Sequence, residues 1–372
     1  MPRATLRSDA LRVALTHVYA WPEVRRGGER YLHELAAALA GVGHDVRILT
    51  SSPHPGRWRE LGVEVIAVPR RHLAPGRFGD LSGEVAFGVQ ALGRLGAVSL
   101  DVWHALGTSD AAASALLAGA RRTMTSVYTD LGFPARASRE ARSDRRLHEF
   151  VVRHVDTYVC LSVATGEHLR SGYGREPVVV GGGVDTSRFV PAPSRSRVPS
   201  LLFAGAASEP RKNLALLFEA VAQLVRTTPV ELWLATPDDP TALVATAPEA
   251  ARAAVRHVPT ASPSDLVALY GSAWVTVTPY EAEAFGLVAV ESLACGTPVV
   301  ALEDTAPAEL IGPGTGLTTP PTATDLAAAL RRAVHLAAEP ATSDACRALA
   351  VDHHDWRGAV VPRLEQLYRA GR

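Results

Sequence analysis

Cysteine is scarce: the chain has three in 372 residues, Cys160, Cys295 and Cys346, far apart and forming no CxxC pair. That excludes a disulfide framework and a zinc site built on thiolates, and it fits a reducing compartment. Cys160 and Cys295 sit in apolar runs and read as small core residues. Net charge is absent too, with 38 basic against 38 acidic residues. The broad positive field that non-specific nucleic-acid binding needs is therefore missing, and no nucleic-acid partner is expected. The local pairs Arg121-Arg122 and Arg145-Arg146 read either as solvated helix faces or as a surface for an anionic lipid or acceptor. Long apolar runs are lacking as well. The most apolar window, Ala111 to Ala120, is about half the length that a bilayer span needs. The start, MPRATLRSDALRVAL, has no signal-peptide h-region before its first polar break. A cytoplasmic location is expected, with peripheral membrane contact left open. No repeat of solenoid length and no metal-ligand spacing occur, so no metal is expected.

What the chain does have is core-forming material, with 47% hydrophobic residues over a length that suits two domains. Leu11 to Thr16 reads as a strand. A loop ending in Gly27-Gly28 follows, then a helix with Tyr31, Leu32, Leu35, Leu39 and Val42 on one face, Gly41 and Gly43 at its end, and the strand Asp45 to Thr50. Such a βαβ unit makes its strands parallel. Paired glycines at the strand-to-helix turn either serve packing or let backbone pass close to a ligand, where free N–H groups favour anions. Further strands are predicted at Val63 to Val68, Leu100 to Trp103, Met124 to Tyr128, Asp156 to Leu161 and Pro177 to Val180, with helices at Val85 to Leu95 and Ala111 to Ala118. The proline-rich PAPSRSRVP, Pro191 to Pro199, reads as a linker. A second series has strands at Ser200 to Gly205, Glu231 to Leu234, Val275 to Pro279 and Val299 to Leu302, and helices after AASEPRKN, at Ser264 to Tyr270, at Asp325 to Leu336 and in the tail from Trp356 to Leu367. The expected fold class is α/β, with two open, doubly wound Rossmann-like domains and the ligand site at strand carboxyl ends.

The chemistry gathers in Tyr280 to Leu302, YEAEAFGLVAVESLACGTPVVAL. A helix starting near Gly286 presents unpaired backbone N–H groups over its first turn, which suit a diphosphate. Glu283 precedes that helix and can face a sugar beyond the phosphates. Glu291 lies about 7.5 Å further along the helix axis, and its carboxylate can accept hydrogen bonds from two ribose hydroxyls. Against this stands the plain reading of Glu283 as a surface loop acid and Glu291 as a solvated helix acid. Arg211-Lys212, in the turn before the first helix of the second series, are either solvated charges or two cations placed to neutralise a leaving diphosphate. His17 and His104 end strands and are candidates to touch an acceptor, or are packed histidines.

With these motifs the sequence resembles the family-4 retaining glycosyltransferases of the GT-B fold. The resemblance rests on Gly27-Gly28 with its helix and GHDV, on VVVGGGVDTSRFVP, on SEPRKNLALLFEAV, and above all on EAFGLVAVE, Glu283 to Glu291, with SLACGTPVVAL, which is similar to that family's E-x7-E motif. It runs from about residue 11 to 367. It implies two Rossmann-like domains facing across a cleft: an acceptor domain over 1–192 joined by a C-terminal helix at about 353–372, and a donor domain over 198–350, with hinges near Pro191 to Pro199 and near residue 350. It implies transfer of a sugar from a nucleotide-diphosphate sugar, as co-substrate, to a small-molecule, lipid or glycan acceptor, with the anomeric configuration kept and without cofactor or metal. Glu283 would contact the donor sugar, and Phe285, Gly286, Leu287 and Val288 would offer backbone groups to the diphosphate and sugar. Glu291 would hold the ribose, Lys212 and Arg211 would bind the diphosphate, and Gly28 would let its loop close on the phosphates. Thr129-Asp130 falls where the family meets donor sugar or acceptor.

Several positions depart from that family. Ala206 and Ala207 follow Gly205 where many members carry an arginine, so diphosphate binding falls more heavily on Lys212 and Arg211. Thr129 stands where a histidine is common, and Gly182 where an asparagine is commoner. The competing readings are a sugar-nucleotide epimerase, which would form epimer without acceptor, and a non-catalytic GT-B protein, which would bind nucleotide without turnover. High alanine and arginine content points to a GC-rich bacterial source.

Overall fold

The computed structural model describes residues 9–24, 26–71, 82–132, 142–259 and 263–371. The chain divides into two compact units, one made of Met1–Gly183 with Trp356–Arg372, the other of Val184–Asp355. The start that was searched for a leader lies largely outside the described residues. Among the described residues no helix is long and apolar enough to cross a membrane.

The first unit runs β1 (Arg12–Thr16), α1 (Gly27–Gly41), β2 (Asp45–Ser52), β3 (Gly56–Glu60), β4 (Val63–Pro69), α2 (Ser82–Leu95), β5 (Val102–Ala105), α3 (Thr108–Ala120), β6 (Thr125–Asp130), α4 (Arg142–His154), β7 (Thr157–Cys160), α5 (Val163–Tyr173) and β8 (Val178–Val179). Its sheet has the order β3-β4-β2-β1-β5-β6-β7-β8. Every pairing is parallel except β3 with β4. Helices on both faces bury the central strands, which is why β1 and β5 read as unbroken apolar runs. Because β2 and β5 both pair with β1, the strand order reverses at β1 and β5.

The β3–β4 hairpin was not expected. GRWRE is exposed at every residue and carries three charges, so it shows no alternation, and its charges suit an edge strand. Its two-residue turn places Leu61 at φ 48 and Gly62 at φ 83, the left-handed pair that a tight hairpin requires.

The tail joins this first unit. After a single π turn over Trp356–Val360, α13 (Val361–Ala370) buries Val361, Leu364 and Tyr368. The Trp356 indole N–H donates to Glu34 Oε2 at 3.0 Å, and its ring meets Tyr31 edge-on at 5.2 Å. Gly183 lies under that ring, and any Cβ there would run into it.

The second unit runs β9 (Ser200–Ala204), a 3₁₀ turn (Pro210–Lys212), α6 (Leu214–Leu224), β10 (Glu231–Ala235), α7 (Thr241–Ala245), α8 (Glu249–Ala254), β11 (Val255–His257), α9 (Pro263–Ser272), β12 (Val275–Thr278), α10 (Leu287–Ala294), β13 (Val299–Leu302), a 3₁₀ turn (Ala306–Leu310), β14 (Gly316–Thr319), α11 (Ala323–Ala338) and α12 (Pro340–His354). Its sheet, β11-β10-β9-β12-β13-β14, is parallel throughout and reverses order between β9 and β12. Its core packs Leu201, Phe203, Leu232 and Val277 against Leu217, Val221 and Leu330.

The division between units falls at Gly183–Val184, ahead of the proline-rich stretch expected to link two domains. That stretch belongs to the second unit and is pinned to it. Arg195 donates to the Trp274 carbonyl at 2.8 Å and the Gly296 carbonyl at 3.1 Å. Trp274 returns an indole N–H to the Ser196 carbonyl at 2.9 Å. Polar, proline-rich composition here marks a segment that satisfies helix-end carbonyls, not a free connector.

Candidate active site

In the second unit the reversal of strand order brings two loops together at the carboxyl ends of β9 and β12, the place where open α/β sheets bind ligands. The loop after β9 passes through Gly205 at φ +152. A Cβ there would meet only ordinary contacts, so the backbone conformation selects glycine, not lack of room. The loop then tightens into Pro210–Lys212 and enters α6 through Asn213 at φ 51. The loop after β12 is tied to it at three points. The buried Tyr280 hydroxyl donates to the Ala204 carbonyl at 2.7 Å, the Glu281 N–H to the Arg211 carbonyl at 3.0 Å, and the Asn213 amide to Glu281 Oε1 at 3.0 Å.

These ties converge the charges. Lys212 Nζ lies 2.7 Å and Arg211 Nη1 2.8 Å from the same oxygen, Glu283 Oε2. Arg211 also donates to the Ala282 carbonyl at 3.0 Å and pairs with Glu209 at 2.6 Å. The Lys212 ammonium sits 3.6 Å from the centre of the Tyr280 ring, whose face favours a cation. The Lys212, Glu283 and Arg211 side chains are 9%, 19% and 29% exposed, so salt screens them less than it would a surface pair. Burial lowers the Lys212 pKa from its ordinary value, although the Glu283 charge and hydrogen bond oppose that shift. Sequence reasoning placed Lys212, Arg211 and Glu283 but missed Tyr280 as the ring under the ammonium, though it stands in the same stretch.

Beyond Glu283 the chain turns into α10. Gly286 occupies its N-cap position at φ +111 and brings no side-chain cap, and its carbonyl accepts the Ala289 N–H at 2.9 Å. A Cβ on Gly286 would press on Pro307 and Leu310 at 3.1 to 3.2 Å. Phe285 is buried, while Leu287 and Val288 are half-buried. Glu291, expected as a solvated acid or a ribose ligand, is only 2% exposed. The helix face that carries it, with Val290, Leu293 and Ala294, turns into the core, so the solvated reading is overturned.

In the first unit Gly27 and Gly28 open α1. A Cβ on Gly28 would come within 2.9 Å of only the terminal Leu131 Cδ1, a side-chain end that can give way. His104 and Thr129 do not form an exposed acceptor site. Both are fully buried and bonded to each other, His104 Nε2 to Thr129 Oγ1 at 2.6 Å. His104 Nδ1 is bonded to the Tyr368 hydroxyl at 2.6 Å, and burial lowers its pKa to about 3, so the ring is a neutral tie between sheet and tail helix. His17 is turned onto its own loop, with Nδ1 2.9 Å from the Tyr19 carbonyl. Asp130 keeps a partly exposed position at the end of β6, accepting from the Tyr158 hydroxyl at 2.8 Å and the Gly132 N–H at 2.7 Å.

The reversal point of the first unit holds a group that sequence reasoning missed. Asp110, in the first turn of α3, is buried and bonded to the Thr16 hydroxyl, which accepts the Trp103 indole N–H at 2.9 Å. Burial pushes its carboxyl up to about 7 from 3.8. Between those values the folded chain keeps a proton that the unfolded chain has lost. The stability this gives is full below about pH 4 and is lost as pH rises through about 7. Asp110→Asn removes the titration. Its stability relative to wild type should rise by about 2 kcal/mol from pH 5 to pH 7 in urea denaturation; a difference constant across that range would contradict the assignment.

Two family models match successive parts of the chain. The family description "Glycosyl transferases group 1" matches residues 198–335, and "Glycosyltransferase Family 4" matches residues 25–188. A D-inositol 3-phosphate glycosyltransferase of Kineococcus radiotolerans is 33% identical over 255 residues, covering 59% of this chain and 58% of its own length. The match thus spans less than two thirds of that relative. A sucrose-phosphate synthase from Thermosynechococcus elongatus superposes with a TM-score of 0.81 at 21% identity, covering 96% of this chain and 98% of the other. Anabaena HepE in complex with UDP-glucose superposes with a TM-score of 0.74 at 16% identity, covering 96% and 100%. At such identities the structural likeness carries the fold.

Proposed function

The chain belongs to the family-4 glycosyltransferases and has their GT-B fold, and from that premise we propose that it moves a hexose from a nucleotide-diphosphate sugar to a small polar acceptor with retention of configuration. The observation that carries this reading is the convergence of Lys212 and Arg211 on Glu283, in the loop that leads into α10 at the reversal of strand order in the second unit. Two cations and a set of helix N–H groups suit a diphosphate. Ala206 adds no charge, so Lys212 and Arg211 carry the neutralisation. In the proposed step the bond from the anomeric carbon to the leaving phosphate oxygen breaks. A bond from that carbon to the acceptor oxygen forms on the same face, and the acceptor proton passes to the leaving phosphate. Lys212 and Arg211 stabilise the negative charge that builds on that phosphate. Glu283 holds sugar hydroxyls, and Glu291 holds the ribose.

The inositol 3-phosphate named for the bacterial relative, and the UDP-glucose named for HepE, suggest a phosphorylated polyol as acceptor and a nucleotide hexose as donor. Thermal-shift screening of nucleotide sugars tests the donor reading. At a hundredfold excess over Kd, a donor should raise the melting midpoint by about 5 °C. A flat response across UDP-, GDP-, ADP- and dTDP-sugars would contradict it.

A further inference from the structure

Resting on the reading above, we propose that Glu283 is the internal anion of the diphosphate site, and that the diphosphate binds by taking Lys212 and Arg211 away from it. Both cations meet a single carboxylate oxygen, at 2.7 and 2.8 Å. A diphosphate oxygen seated between the two cations takes the position that Glu283 Oε2 holds, so the two anions cannot occupy it together.

The cations do not depend on Glu283 for their positions. Lys212 lies over the Tyr280 ring, and Tyr280 is fixed by its bond to the Ala204 carbonyl. Arg211 is held by the Ala282 carbonyl and by Glu209, and its own carbonyl accepts the Glu281 N–H. Asn213 clamps Glu281 from the next position along. When Glu283 leaves, a formed site for anionic oxygens remains. The Lys212 side chain is largely buried, and an ammonium in such a place is costly without a paired anion. Glu283 fills that need, and an incoming diphosphate fills it in turn.

This exchange gives Glu283 two positions and one trigger. Bound to the cations, its Oε2 is engaged by both and is not available to a sugar. Displaced by the diphosphate, it is four residues from the start of α10 and free to accept hydrogen bonds from donor sugar hydroxyls. Glu283 therefore acts as a positioning residue whose placement depends on diphosphate binding. The exchange also selects against weak monoanions, which gain little by replacing a carboxylate already paired to two cations.

Inorganic pyrophosphate is the probe that isolates the exchange, because it carries no sugar and no base. Calorimetric titration of wild type, Glu283→Gln and Lys212→Ala tests it. Glu283→Gln should bind pyrophosphate about tenfold more tightly than wild type, since the competing charge is gone while the cations stay. Glu283→Ala serves as the second variant and should tighten binding as well, and Lys212→Ala should weaken it. A residue that only contacts the sugar would leave pyrophosphate affinity unchanged. Equal or weaker binding by both Glu283 variants, with wild type binding, would overturn the exchange and leave the donor-site reading standing. No binding by wild type or either Glu283 variant would overturn both.

Discussion

Lys212→Ala should lower kcat/KM for sugar transfer by about a thousandfold, the effect of removing one donor aimed at charge that develops in the transition state. The loss follows from the geometry. Lys212 is a nearly enclosed cation, supported by the Tyr280 ring and hydrogen-bonded at 2.7 Å. Leaving-group charge grows as the glycosidic bond breaks, so the ammonium matters more in the transition state than in the bound donor. The loss should accordingly appear mainly in kcat, with a smaller rise in KM. Lys212→Arg should restore only part of the rate, because a planar guanidinium cannot take the same position over the ring with the same single-point contact. A Lys212→Ala enzyme with unchanged kcat/KM would remove the diphosphate role from this residue.

The second large effect concerns stability. Trp356→Ala should destabilise the first unit by about 4 kcal/mol and lower its melting midpoint by about 10 °C. The indole is buried, donates to Glu34 and packs on Tyr31, with the bare backbone of Gly183 beneath it. Removing it leaves a cavity that no neighbouring side chain at Gly183 can fill, and Glu34 Oε2 loses its indole donor while Oε1 stays paired with Arg30. It also loosens α13, whose Tyr368 holds His104 and through it Thr129. A wild-type melting curve for Trp356→Ala, followed by far-UV circular dichroism, would show that the tail does not contribute to the unit.

Much of this fold was legible because buried parallel strands are unbroken apolar runs bounded by glycine, proline or a polar residue. LRVALT, DVRILT, SLLFAG and VVAL all became strands where expected, and the helix after Gly27-Gly28 buried the predicted face. Gly296 follows the end of α10 at φ +74. What was missed carries a weak hydrophobic signal. The strand GRWRE is an exposed, charged edge, and GLTT offers a single large apolar side chain. Helix α12 buries only Thr342, Cys346 and Ala350, a stripe too small and polar to stand out.

At the site, the same contrast holds between local and distant partners. Glu283, Arg211 and Lys212 each stand out in a short local motif, and strand topology brings the motifs together. For His104 the packed alternative is the one observed, and the sequence could not show why, because Tyr368, which holds its Nδ1, comes from the far end of the chain. No spacing rule links residues separated by so much sequence. Asp110 escaped for a related reason: a single acid at a helix start looks like a favourable first-turn charge until burial and the Thr16 hydroxyl are seen.

Transfer is tested by following the sugar itself. The protein is incubated with a panel of nucleotide sugars and D-inositol 3-phosphate as acceptor, nucleoside diphosphate release is quantified, and the anomeric coupling of the product is read by proton NMR. The expected result is one nucleoside diphosphate released per glycoside formed, with the donor's anomeric configuration kept. Inverted product, or epimerised nucleotide sugar with no glycoside formed, would contradict it.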